Sequence, residues 1–146
     1  MKITLKEIKL AEAPLTKFVE QTIPIKLAYN LGKLVRVMQQ ELRQIEAARV
    51  KLVKQYGTES SADVIEVKPE NLQQFNEEWT QLLETEIDLD FEPISSNLLN
   101  SLDIQMTSLD MHFISIFFKD NKLKVKYDKN WLWSRVSGKR SNYQNY

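Results

Sequence analysis

The sequence predicts an α+β fold that is mainly helical. A long amphipathic helix is paired with a second helix, a small β element joins them, and a basic C-terminal extension follows. Three observations carry this reading. Residues 24–56 place apolar side chains three or four apart with no helix breaker except Gly32. Residues 69–85 repeat that spacing behind a proline start. Stretches 64–67 and 86–92, on either side of the second helix, have strand character. Residues 1–118 are expected to form the helical α+β domain, and residues 119–146 the basic, aromatic extension.

In chain order, Met1-Lys2-Ile3-Thr4-Leu5-Lys6 alternates charged with apolar residues and lacks the apolar core of a signal peptide. Residues 1–8 read as a short strand through Ile3 and Leu5, or equally as the opening of a helix through residues 11–20. Pro14 would stand inside that helix, so a break is expected near it. Thr22-Ile23-Pro24 is a stop and a start, because Ile23 before proline is biased to extended geometry and Pro24 suits a first helical turn.

From Pro24 to Tyr56, Leu27, Leu31, Leu34, Met38, Leu42, Ile45, Ala48, Leu52 and Tyr56 make one stripe close to a heptad seam. Lys33, Arg36, Gln40, Arg43, Gln44, Lys51 and Lys54 occupy the opposite face, and Gly57 stands where a C-terminal cap belongs. Such a helix is about 50 Å long at 1.5 Å per residue. That exceeds what a compact domain of 146 residues needs, so part of it is expected to reach beyond the core or to pair with another chain. Leu27, Leu31, Leu34, Met38, Ile45 and Leu52 are therefore candidate partner-binding residues.

Residues 58–63 read as a polar loop and residues 64–67 as a strand ended by Pro69. Leu72, Phe75, Trp79, Leu82 and Leu83 give the second helix its apolar spacing, with Glu70 in the first turn where the helix dipole favours an acid. That helix is expected to pack antiparallel on the first. Ile87, Leu89 and Phe91 alternate with Asp88, Asp90 and Glu92 as a half-buried strand closed by Pro93, and this strand could pair with residues 64–67. Ser95 or Ser96 is expected to cap a short helix through Leu102. Thr107 or Ser108 is expected to cap another through Phe118, with strand left open there. Residues 122–127 alternate as a basic strand, followed by Trp131-Leu132-Trp133 and a polar tail.

The formal net charge of zero conceals three blocks. Residues 1–56 carry 11 Lys/Arg and 5 Asp/Glu, residues 57–118 carry 1 and 13, and residues 119–146 carry 8 and 2. This order suggests that the acidic middle folds back on a basic flank.

Several function classes have little support. There is no Cys, hence no disulfide framework and no thiol nucleophile. The three glycines are far apart, so no phosphate-cradling loop forms. His112, the one histidine, reads as a partly buried side chain beside Met111, Phe113 and Ile114. Asp88, Asp90 and Glu92 share one strand face and could hold a hard cation, but they lack the glycine turn of a Ca²⁺ loop and read better as an acidic solvent face or a face that meets a basic partner. No catalytic, cofactor-binding or metal residue is assigned. The longest strongly apolar run, residues 112–118, is far short of the ~20 residues of a membrane helix, so a soluble, unsecreted protein with no membrane contact is expected. Tyr127, Trp131, Trp133 and Arg135 are candidate contact residues, since cations and aromatic faces suit either a protein interface or nucleic acid.

A basic helix opened by Pro24, a stop at Tyr56-Gly57, the start Pro69-Glu70-Asn71 and the run Thr85-Glu86-Ile87-Asp88-Leu89-Asp90 leading to Pro93-Ile94 occur here in that order. In these features residues 1–118 resemble a family of small, functionally uncharacterised bacteriophage and prophage proteins, the domain of unknown function 1617. The tail from Lys119 departs from the family pattern. The resemblance implies a phage-encoded protein and carries over no catalytic residues. The expected function is non-enzymatic, through protein–protein contacts, as a virion structural or assembly component. The alternative is an intracellular regulator or counter-defence protein that binds a host protein or nucleic acid. Expected partners are other phage proteins or further copies of this chain, in the virion or the host cytoplasm.

Overall fold

The computed structural model describes residues 1–59 and 65–119, and the fold it shows is the mainly helical α+β arrangement the sequence predicts. Its first turn is set by a capping box. β1 (Lys2–Thr4) runs straight into α1 (Leu5–Val19), so both readings of residues 1–8 are realised in succession. The Thr4 N–H donates to Glu7 Oε2 at 2.8 Å, and the Glu7 N–H donates back to Thr4 Oγ1 at 3.2 Å. α1 buries Leu5, Ile8, Ala11, Pro14, Leu15 and Phe18 along one face.

Pro14 does not break this helix, contrary to the sequence expectation. A proline inside a helix costs about 3 kcal/mol through its missing donor and the clash of its ring. Here the ring lies on the buried face, where α1 packs against two later helices. Burial of that face offsets the local cost.

α2 (Ile25–Tyr56) follows, 32 residues long. Pro24 is its N-cap with ψ 144°, one residue ahead of the expected first turn. Gly57 is no left-handed cap. It has φ −101° and ψ 169° and is the first residue of β2 (Gly57–Glu59), which pairs antiparallel with β3 (Ile65–Val67) in the register Gly57↔Val67 and Thr58↔Glu66. A helix that runs directly into a paired strand needs extended backbone at that position, and this overrides the cap preference of glycine.

A 3₁₀ turn (Pro69–Asn71) leads into α3 (Leu72–Leu83), which packs on α2. β4 (Glu86–Asp88) is shorter than the expected strand and pairs antiparallel with β1, not with β3. The reason is geometric: β3 and β4 lie at opposite ends of α3, whose 12 residues keep them about 18 Å apart. β5 (Ile94–Ser95) leads into a 3₁₀ turn (Ser96–Leu99) that stops short of the expected Leu102. α4 (Ser108–Ile114) is capped by the Thr107 hydroxyl, which accepts from the Asp110 N–H at 3.1 Å. A last 3₁₀ turn (Ser115–Phe117) ends in β6 (Phe118–Lys119), parallel to β5, so the helix does not reach Phe118. The core lies between α1, α2 and α4, with Phe18 edge-on to Phe118 at 6.2 Å and Phe91 edge-on to Phe117 at 6.4 Å.

Of four ion pairs among the described residues, three join the basic N-terminal block to the acidic middle. They are the Met1 amino group with Asp88 at 3.0 Å, Lys2 with Glu86 at 3.6 Å, and Lys17 with Asp110 at 3.0 Å. The acidic segment therefore does fold back on the first block, through β1 and α1. The basic outer face of α2 forms no ion pair to another element among the described residues, and the one pair within the helix joins Arg49 to Glu46.

The Lys17 hydrogen bond, helped by Thr107, holds the Asp110 carboxyl below its ordinary value even though burial opposes it. A carboxyl lowered in the folded state contributes stability above its unfolded pKa and loses it as pH falls through the folded one. Acid should therefore loosen the α1–α4 contact below about pH 4. Thermal unfolding between pH 7 and pH 3 tests this: Asp110→Asn should lose less melting temperature across that range than the parent chain. Equal losses would refute the linkage.

Candidate interaction surfaces

The structure sorts the predicted contact residues into three groups. Leu27, Leu31, Leu34, Met38 and Ile45 are all buried in the core of the same chain. They are corrected from partner-binding to core residues, because α1 and the segments after α3 cover the stripe that the sequence left unpartnered. Leu52 is half-buried near the β2–β3 hairpin end of α2. Tyr127, Trp131, Trp133 and Arg135 lie outside the described residues, as does the basic strand read at residues 122–127.

The opposite ridge of α2 is the more informative surface. Ile25 is 86% exposed and Tyr29 65%, and a spacing of four places them side by side as one apolar patch. The Lys33 ammonium lies 4.6 Å above the Tyr29 ring, a cation–π contact that fixes the ring at the surface. Gly32 is next along the ridge, and a Cβ built there would meet none of the described residues within 4 Å. Arg36, Arg43, Val50 and Lys54 continue the same line, all exposed. This ridge was legible in the sequence, since Ile25, Tyr29 and Val50 fall out of phase with the Leu27–Leu31–Leu34 stripe. An eye fixed on the main stripe passes over them.

α3 has no fully buried residue. Its inner side is tied to the end of α2: the Tyr56 hydroxyl donates to Glu78, and Asn71 Nδ2 donates to the Tyr56 carbonyl at 3.1 Å. The Glu78 hydrogen bond, with burial and the carboxylate charge adding to it, raises the Tyr56 phenol above its ordinary value. The outer side carries an open groove of about 700 Å³ lined by Pro69, Leu72, Gln73, Asn76, Glu77, Thr80 and Gln81. Glu77 is exposed in it, and Glu70 and Glu84 are exposed at the two ends of α3.

A second cleft, about 620 Å³, separates the first turns of α2 from the segment after β4. Lys26 and Lys33 face Asp90 and Glu92 across it. The carboxylates considered for a hard cation are thus divided: Asp88 is held by the Met1 amino group, while Asp90 and Glu92 line a cleft shared with lysines. Among the described residues no group of three His, Cys, Asp or Glu side chains is placed to hold a metal ion. His112 is exposed on α4, not partly buried, with its ring 5.7 Å from that of Phe113. Met111 and Ile114 take the core positions of that short helix and turn His112 outward.

No family model, curated protein or solved structure matches the chain. Among the described residues no helix is long and apolar enough to cross a membrane.

Proposed function

We propose that this chain is a non-enzymatic phage protein that acts through protein–protein contacts, as a virion structural or assembly component. One observation carries the contact reading: the outer ridge of α2 sets an exposed Ile25–Tyr29 patch beside a row of cations that form no ion pair across the described chain. Contiguous apolar surface rimmed by charge is what protein interfaces present. The phage origin is supported by the resemblance of residues 1–118, and it puts the protein in the virion or the host cytoplasm. Mass spectrometry of purified particles is the test. Stable, stoichiometric presence supports a virion component; absence removes that version and leaves an assembly chaperone.

A second reading is favoured by the tail, where Lys122, Lys124, Lys126, Lys129 and Arg135 interleave with Tyr127, Trp131 and Trp133. An intracellular regulator or counter-defence protein would use such residues on a host protein or on nucleic acid. A salt-dependent gel shift that disappears when residues 119–146 are removed would favour it over the first.

A further inference from the structure

We infer that copies of this chain associate head to tail, the outer ridge of α2 in one copy seating on the outer ridge of α3 in the next. The occupant is chosen by charge and by spacing. Arg36 and Arg43 are seven residues apart on α2, and Glu77 and Glu84 are seven residues apart at α3 and its C-cap. At 1.5 Å per residue both pairs are spaced about 10.5 Å apart, so two ion pairs form in one register. Lys54 on α2 and Glu70 before α3 extend the two rows with the same signs. Apolar groups accompany each: Ile25, Tyr29 and Val50 on the basic ridge, Leu72 on the acidic one beside the open α3 groove.

The two ridges cannot satisfy one another within one chain. α3 packs on α2 through Trp79, Leu82 and Glu78, and its glutamates at 70, 77 and 84 sit on the far side of the same helix. α2 likewise turns Leu27, Leu31 and Leu34 inward and its cations outward. Gly32 sharpens the case. A glycine inside an exposed helix gives up about 1 kcal/mol relative to alanine, and nothing among the described residues approaches the site. Absence of a side chain there lets another helix come close. Because one patch meets a different patch, the contact is heterologous and propagates, closing as a ring or growing as a filament.

The inference rests on the contact reading above and not on the phage origin. Sedimentation velocity of the full chain over a concentration series, in ~0.05 M and ~0.5 M salt, reads it directly. The expected result is concentration-dependent self-association that weakens at high salt. Arg36→Glu with Arg43→Glu should raise the apparent dissociation constant tenfold or more, and so should Glu77→Lys with Glu84→Lys. All four positions are exposed, and unchanged circular dichroism verifies folding. Mixing the two double variants should restore assembly with the two chains alternating, since parental ridges meet at one junction and charge-reversed ridges at the next. Combining all four changes in one chain should restore assembly.

A monomer at every concentration and salt overturns the proposal. Association that is indifferent to both double variants overturns it too, as does two-fold pairing through α2 alone. Preferential binding of a polyanion by the α2 ridge, with no self-association, has the same consequence. A monomeric chain still found in purified particles would overturn this inference while leaving the contact reading intact.

Discussion

Phe18→Ala should lower the stability of the fold by about 3–5 kcal/mol, the range for truncating a fully buried aromatic side chain. Phe18 is completely buried near the end of α1, and its ring meets Phe118 edge-on at 6.2 Å. Phe118 belongs to β6, so this one side chain joins the first helix to the last described strand. Its removal leaves a cavity in the core, on the face of α1 that packs against α2 and α4. The loss would be about a fifth or more of the ~5–15 kcal/mol a domain commonly has. Leu109→Ala is the control: Leu109 is 62% exposed on α4, and its change should stay within about 0.5 kcal/mol. Urea titrations with a shared slope give both numbers. A Phe18→Ala loss under about 1 kcal/mol would mean that α1 is not seated as described.

How far the sequence disclosed this arrangement depends on the range over which each feature is decided. The α2 stripe was legible because Leu27, Leu31, Leu34 and Met38 repeat within a few turns, and periodicity is a local property. What covers the stripe was not legible, since the core it joins includes Ile94, Met111 and Ile114, more than fifty residues further on. The same long helix therefore looked like a docking seam until the rest of the chain was folded against it. Strand existence near residues 65 and 87 was readable from alternation. The pairing was not, although the length of α3 between them already argued against it. Pro14 failed as a breaker for a related reason: its penalty is local, and the burial that offsets it is not. On the surface the order reverses. Ile25 and Tyr29 were visible as residues out of phase, and only the fold reveals that nothing described covers them.

Gly57→Ala should destabilise the chain by about 1–3 kcal/mol, the cost of forcing a methyl group into packed space. Backbone conformation is not the obstacle, because φ −101° and ψ 169° suit alanine well. Space is. A Cβ at this position would lie 2.6 Å from Ile65 Cγ2, 2.9 Å from the Glu66 carbonyl oxygen, and closer still to the carbonyl of Val53. Two of those three atoms are backbone: one belongs to the last turn of α2, the other to the strand paired with Gly57. Neither can retreat without opening the helix end or the Gly57↔Val67 pairing. Gly32→Ala makes the same chemical change with the opposite outcome. None of the described residues lies within 4 Å of its Cβ position, so the variant gains helix propensity, about 1 kcal/mol, without a clash. The two sites lie far apart along α2 and share no neighbour, so their effects should add in the double variant within about 0.5 kcal/mol. Matching signs for the two single variants would contradict the tight junction between α2 and β2. Opposite signs would place the close contact at the hairpin, where a helix of 32 residues turns directly into paired strand.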